Sequence, residues 1–382
     1  MTRVVGSWME GPAQEVCEML IRAGYQAHFV GGCVRNALLG VPVADVDIAT
    51  DARPEVVSNL AERAGFHAVP TGIEHGTVTV AAKGSAFEIT TWRRDIETDG
   101  RRAVVAFADR LEEDARRRDF TMNALYATPE GDLVDPLGGL ADLRARHVRF
   151  IDDAEARIRE DYLRILRFFR FHAWYGDPEA GMDPEALAAI ATLAEGIAGL
   201  SRERVGAELL KLLAAPDPAP SVAVMERCGV LAHALSGAVA HVLPILVHFE
   251  AQLGLAPDPV RRLAALRGDA PETALRLSRA EARKLAVLKQ WSGTMDRPET
   301  LGYRLGVEDA LDVIALTSAS LGSDIPPNAA TGVAHGAHQE LPVKAKDLMP
   351  GLEGPALGAA LRELEQRWIA SGFTLTREEL LK

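Results

Sequence analysis

Asp45 and Asp47 lie two residues apart in a run, Ala44 to Ala49, that reads as a strand. On a strand such residues project to one face, while Val46 and Ile48 turn to the core. Two carboxylates held that close raise each other's pKa unless a cation stands between them. Hard oxygen ligands of this kind suit magnesium, which commonly bridges carboxylates to nucleotide phosphates. A D-x-D alone also describes a solvated strand edge, so the neighbours decide. Gly31-Gly32 closes the run Ala27 to Val30 and opens a short helical pattern, where free backbone N–H groups and the positive helix end make an anion site. Arg35, three residues on, reaches the same phosphates bidentately. Glu88 falls on the strand face opposite Phe87 and Ile89 and gives a third carboxylate if its strand neighbours the first two. Its role would be general base or metal support for a 3′-hydroxyl attacking a nucleotide α-phosphate.

Two further constellations follow. In Arg116-Arg117-Arg118-Asp119-Phe120-Thr121-Met122-Asn123 the spacing predicts one helix face carrying Asp119 and Asn123, with Arg118 able to reach a phosphate. In Glu160 to Phe171, Asp161, Arg164, Arg167 and Arg170 recur every three residues, away from an apolar stripe of Ile158, Tyr162, Ile165, Leu166 and Phe169. An exposed helix with an i,i+3 ion pair would look the same. The hydrogen-bond inventory gives a sharper meaning. Cytosine and adenine each show an amino donor beside a ring-nitrogen acceptor, whereas uracil and guanine show a carbonyl acceptor beside an N–H donor. Asp161, which only accepts, next to Arg164, which only donates, therefore matches C and A and mismatches U and G.

The elements that must position these residues are legible as a small α/β unit followed by helices. Besides the strands already named, Thr77 to Ala82 and Ser85 to Trp92 read as a hairpin across Lys83-Gly84. A helix is predicted near Glu112 to Ala127, and a long amphipathic one from about Ala154 to Trp174. Pro216 to Pro220 is the clearest linker-like break. A loop is expected around Gly322 to Gly336 before a last helical segment near Gly354-Pro355. At 382 residues the chain has room for several packed units. The pattern is a small α/β head followed by a long helical body.

Composition narrows the partners. A net charge of −12 argues against broad electrostatic nucleic-acid binding but not against a local basic cleft. The stretch Cys228 to Phe249 carries no charge, yet its histidines, its Ser236-Gly237 break and Pro244 favour two short buried helices over a membrane span. Cys17, Cys33 and Cys228 are odd in number and widely spaced, so neither a disulfide framework nor a zinc site is expected. With no apolar signal core at the start of the chain, a cytoplasmic location is expected.

Taken together, these strings resemble the class II tRNA nucleotidyltransferase and bacterial poly(A) polymerase family. The resemblance rests on Gly31-Gly32-Cys33-Val34-Arg35 through Gly40, Asp45 to Thr50, Phe87 to Thr91, Arg117 to Ala124, Glu160 to Phe171, and Ser201 to Val205 with Glu208-Leu209, in that order along residues 28 to 213. It implies an α+β chain: a catalytic, polymerase-β-like nucleotidyltransferase head at 1–150, followed by an all-helical neck that recognises the base at 151–215 and an all-helical body and tail that bind tRNA at 216–382. By position it implies Asp45 and Asp47 as magnesium ligands with Glu88 as the associated acid. Gly31, Gly32, Arg35, Arg118 and Asn123 would bind the nucleotide with Arg167 and Arg170, and Asp161 and Arg164 would read the base. The Ser201 to Glu208 string would brace the neck helix. One departure is Asn36, where the family usually has Asp, which keeps the acceptor and loses the charge. Arg93 to Arg102 falls where the family carries a mobile segment linked to the change from C to A addition.

The function so implied is template-independent addition of C, C and A to a tRNA 3′ end from CTP and ATP, with no DNA or membrane partner. The alternatives are poly(A) addition to RNA 3′ ends, a partial CC- or A-adding enzyme, and a non-catalytic RNA-binding scaffold. Retention of Asp45, Asp47, Glu88, Asp161 and Arg164 together speaks against the scaffold, because binding alone requires no metal carboxylates.

Overall fold

The computed structural model describes residues 2–99, 102–349 and 351–382. The chain forms two compact units, Met1–Ala234 and Leu235–Lys382.

The first unit is α+β. Its strands are β1 (Ala27–Val30), β2 (Asp47–Thr50), β3 (His67–Gly72), β4 (Thr77–Ala82), β5 (Ser85–Thr91), β6 (Arg93–Asp99), β7 (Arg102–Phe107), β8 (Tyr126–Ala127) and β9 (Leu133–Val134). Seven of them make one mixed sheet in the order β3-β4-β5-β2-β1-β8-β9, while β6 and β7 pair with each other. Within the large sheet β2 and β5 are parallel and every other pairing is antiparallel. The expected hairpin across Lys83-Gly84 is β4–β5. One sheet face is closed by Val30, Ala49, Trp92, Tyr126 and Ile151, all buried.

Several local expectations are corrected. The second strand begins at Asp47 rather than Ala44, which leaves Asp45 in the connection before it. The predicted helix from Glu112 to Ala127 ends at Arg116; a single 3-10 turn follows at Thr121–Asn123, and Tyr126–Ala127 belongs to the sheet. Phe120 explains the change. Its backbone is extended and bridges Phe150, and its fully buried ring packs on Phe150, Phe168 and Phe171. Burying that ring outweighs one more helical turn. Arg93 to Arg102, read as a loop, is for its described part the β6–β7 ladder; residues 100 and 101, including the Gly100 invoked for mobility, lie outside the described residues.

The expected long helix from Ala154 to Trp174 is two helices, Ala154–Glu160 and Leu163–Tyr175. The break is Asp161, whose backbone is extended, whose carboxylate accepts the N–H of Leu163 at 3.1 Å, and whose carbonyl accepts the N–H of Arg164 at 3.0 Å. An Asp that satisfies free N–H groups in this way starts a helix. The apolar stripe continues across the break, which is why periodicity alone reads one helix. Helices Pro184–Leu193 and Arg202–Leu213 are started likewise by Asp183 and Ser201. Pro216 to Pro220 opens the helix Ala219–Arg227.

The second unit is helical among its described residues. Its longest helix, Pro298–Leu321, is interrupted at Gly306, where φ is 78°. Helix Ala329–Ala337 occupies what reads as a loop from sequence. It lies so close to the long helix that a Cβ on Gly336 would stand 1.8 Å from the carbonyl oxygen of Glu299. Among the described residues no helix is long and apolar enough to cross a membrane, and the uncharged stretch near residue 240 contributes to the short helices Val230–Ala234 and Leu243–Leu253.

Candidate active site

A cleft of about 410 Å³ in the first unit gathers Gly31, Gly32, Arg35, Asp47, Arg118, Asp119, Asn123, Asp161, Arg164 and Arg167. Sequence separations of more than a hundred residues are closed by the sheet edge, the turn after Arg116 and the two helices around Asp161.

One end is built for an anion. β1 runs into Gly31, whose φ of 71° is left-handed and so favours glycine, and Gly32 begins the helix Gly32–Leu39 with no side-chain cap on its N–H groups. Arg118 Nη1 lies beside this glycine, 3.4 Å from where a Cβ on Gly31 would stand. The rest of Arg118 is clamped: Nε donates to the Tyr126 hydroxyl at 3.1 Å and Nη2 to Asp114 at 3.1 Å. Asp114 is buried and also accepts Arg117 Nε at 2.8 Å and the Tyr126 hydroxyl at 2.8 Å. Burial alone would raise its pKa, but Arg118 and Arg117 hold it well below the usual carboxylate range. Asp114 thus orients two arginines, and the i,i+3 and i,i+4 spacing to Arg117 and Arg118 is its signal in the sequence.

Beside this end stand the carboxylates. Asp47 opens β2 directly across from Glu88 in the parallel register with β5. Asp45 is exposed and Glu88 is exposed; neither lines the cleft. The Asp47 carboxyl is pushed up by burial, then by Glu88 and, more weakly, by Asp45, with Arg118 opposing. Among the described residues no three His, Cys, Asp or Glu side chains converge to hold an ion unaided. Asp47, at the cleft and repelled by Glu88 and Asp45, nevertheless has the charge balance that a hard divalent cation would relieve.

The other end carries the base-reading candidates. Asp161 Oδ2 accepts Arg204 Nη2 at 2.6 Å while its Oδ1 holds Leu163. Arg164 donates to Glu160 at 2.5 Å and to the backbone carbonyls of Arg157 and Arg117. Asp161 and Arg164 therefore share the cleft wall, each fixed by a different partner. Between the two ends runs a chain of bonds: Arg167 Nε to Asp119 at 2.7 Å, Asn123 Nδ2 to Asp119 at 2.8 Å, and Arg35 to Asn123. Asp119 and Asn123 do meet, through a turn rather than along a helix face. Burial would raise the Asp119 pKa, but Arg167, with Asn123 donating, brings it down to about 2. Arg170 lies outside the cleft lining, with Nε 2.6 Å from Glu208.

Sequence reasoning left Arg117, Phe171 and Arg204 unassigned, and all three line the cleft. Arg204 was detectable only as part of the Ser201 to Glu208 string; nothing local marks it as the partner of Asp161, 43 residues away.

Residues 27–149 match the Poly A polymerase head domain, and residues 181–241 match the Probable RNA and SrmB- binding site of polymerase A. The mitochondrial CCA tRNA nucleotidyltransferase 1 of Mus musculus is 32% identical over 399 residues, covering 96% of this chain and 88% of its own. A CCA-adding enzyme of Geobacillus stearothermophilus is 40% identical over 253 residues, 65% of this chain and 59% of that one. The crystal structure of the Bacillus stearothermophilus CCA-adding enzyme in complex with CTP superimposes with a TM-score of 0.72 at 30% identity, covering 94% of this chain and 93% of that one. With likeness of sequence and fold along nearly its whole length, the chain belongs to the tRNA nucleotidyltransferase and poly(A) polymerase family.

Proposed function

We propose that this protein completes tRNA 3′ ends by adding C, C and A from CTP and ATP without a nucleic-acid template, releasing pyrophosphate at each step. The observation that carries the reading is one cleft lined by two chemistries: an uncapped helix end with Arg118 and Asp47, and the Asp161 and Arg164 side chains. Relatives aligned over almost the whole chain carry CCA addition in their names, which favours it over poly(A) addition. In this reading 1–150 is the catalytic head, 151–215 the neck that reads the base, and 216–382 the body and tail that hold tRNA.

The helix end at Gly32, Arg35 and Arg118 binds the triphosphate and draws its charge toward the protein. Asp45 and Asp47 would hold the divalent metal that enzymes of this family use, magnesium in our reading, which supplies neutralisation of the phosphates and activation of the attacking oxygen. The terminal ribose 3′-oxygen bonds to the α-phosphorus, the bond from that phosphorus to the β-phosphate's bridging oxygen breaks, and pyrophosphate leaves. Glu88, across from Asp47 on the sheet, would accept the 3′-hydroxyl proton or support the metal ligands. Asp161 accepts from the amino group of C or A and Arg164 donates to the adjacent ring nitrogen; U and G present the reverse pattern and leave both unmatched. Arg204, bonded to Asp161, fixes the acceptor's direction. Arg167 completes the wall, and Arg170 acts from behind it through Glu208. Three free thiols suit a reducing, cytoplasmic setting.

The test uses tRNA transcripts ending before CCA, in C and in CC, each given magnesium and one labelled nucleotide. Stepwise C, C, A and then arrest is expected. Long A tails on unrelated RNA would replace the reading with poly(A) polymerase, and tRNA binding without incorporation would replace it with a scaffold.

A further inference from the structure

We infer that Tyr175 is a positioning residue for nucleotide binding: its hydroxyl and ring hold the buried guanidinium of Arg35 in place for the triphosphate, the task a carboxylate would otherwise perform. The inference rests on the functional reading above and deepens it.

The charge balance around Phe171 leads there. Three guanidiniums surround this buried ring, with Arg35, Arg167 and Arg170 at 5.1, 5.3 and 4.7 Å from its centroid. Arg167 is ion-paired with Asp119 and Arg170 with Glu208. Arg35 is 7% exposed, and among the described residues no carboxylate stands within ion-pair distance of it. Its bonded partners are all neutral. Asn36 Oδ1 accepts Nε at 3.2 Å and Nη2 at 2.9 Å, Asn123 Oδ1 accepts Nη1, and the Tyr175 hydroxyl accepts Nη2 at 2.9 Å. The Tyr175 ring lies 4.1 Å from the guanidinium carbon, close enough for a cation–π contact.

A buried guanidinium with no carboxylate in direct contact is costly, and Asp119, behind Asn123, offsets that cost only from beyond ion-pair distance. Neutral acceptors hold a guanidinium less firmly than a bidentate carboxylate does. They also leave its charge uncancelled for an incoming phosphate. Tyr175, at the last position of the helix Leu163–Tyr175, adds a face and an acceptor at once, and so fixes the plane of the Arg35 fork without neutralising it. Asn36 shares Nη2 with Tyr175 and also takes Nε, both through one oxygen and with no ring face.

The experiment is a double-substitution cycle, Tyr175→Phe made in the Asn36 protein and in Asn36→Asp. Tyr175→Phe keeps the ring and deletes only the hydroxyl, and thermal melting confirms that each protein is folded. Kd for CTP and for ATP is measured by equilibrium titration, and KM and kcat by extension of a tRNA transcript. Tyr175→Phe is expected to raise Kd and KM about 5- to 10-fold for both nucleotides, since the contact is with phosphate and not base. It should leave kcat and the KM for tRNA within about 2-fold. With Asp at position 36 the same substitution should change Kd by less than about 2-fold, because a carboxylate then orients Arg35. Equal losses in both backgrounds, a loss confined to one nucleotide, or a fall in kcat at unchanged Kd would each overturn the inference. If the unmodified chain binds CTP but incorporates none, the functional reading fails while the Kd cycle still decides the role of Tyr175.

Discussion

Both units bury clusters of charge, and the two clusters are finished differently. In the second unit Arg261 pairs with Glu250 and Asp312, Arg262 with Glu250, and Lys284 with Asp258 and Asp312. Arg261, Arg262, Glu250 and Asp312 are each at most 3% exposed, and each cation has a carboxylate at its side. In the first unit the corresponding group is Arg35, Arg167 and Arg170 with Asp119 and Glu208, and Arg35 is left over. The second-unit network is closed by direct ion pairs, whereas Arg35 meets only neutral acceptors at the cleft.

The largest effect is expected beside the cleft's carboxylates. Asp47→Asn should lower kcat for CTP incorporation about 10³- to 10⁴-fold with little loss of tRNA affinity, read by single-turnover extension and gel-shift titration. An activity loss matched by a tRNA-binding loss would mean that Asp47 supports structure. In the closed network the effect should move to stability instead. Asp312→Ala leaves Arg261 and Lys284 short of a buried partner and should cost about 3–4 kcal/mol in urea unfolding, with CTP-over-UTP preference unchanged. A cost under about 1 kcal/mol would contradict the architectural assignment.

A smaller effect sharpens the cleft side through pH. The Asp119 carboxyl titrates near 4 when unfolded and at about 2 when folded, its burial outweighed by Arg167. A depressed folded pKa contributes stability that is complete above pH 4 and disappears as pH falls toward 2. Relative to Asp119→Asn, the unmodified protein should therefore lose about 2 kcal/mol over that window, measured by denaturant titration at each pH. An identical pH dependence for the two proteins would remove Asp119 as the brace between Arg167 and Asn123.

Much of the site was legible in the sequence where the signal is local. The strand end at Gly31-Gly32, Asp47 on its strand, and Arg164 and Arg167 on one helix follow from period and residue type, and β2 does neighbour β5 as the carboxylate argument required. Glu88 and Arg170, by contrast, stand outside the cleft lining. What escaped depends on contacts at long range. The helix break at Asp161 is hidden because the apolar stripe keeps its phase across it, although an Asp before an apolar run is itself a start signal. The extended backbone at Phe120 is imposed by rings from residues 150, 168 and 171. Arg204 on Asp161 and Tyr175 on Arg35 are pairings that only the folded chain reveals. In the second unit no residue of the closed network sits in a recognisable motif, and its pairings join positions as far apart as Arg261 and Asp312.

The central claim is that protein side chains, and not a nucleic-acid template, choose the nucleotide. The most direct measurement is kcat/KM for CTP and for UTP on a tRNA ending before CCA, with the unmodified protein and Asp161→Ala side by side. The account predicts strong preference for CTP in the first and a collapse of that preference by about 10²-fold in the second, while Asp312→Ala keeps it. An Asp161→Ala protein that still prefers CTP as the unmodified chain does would contradict it.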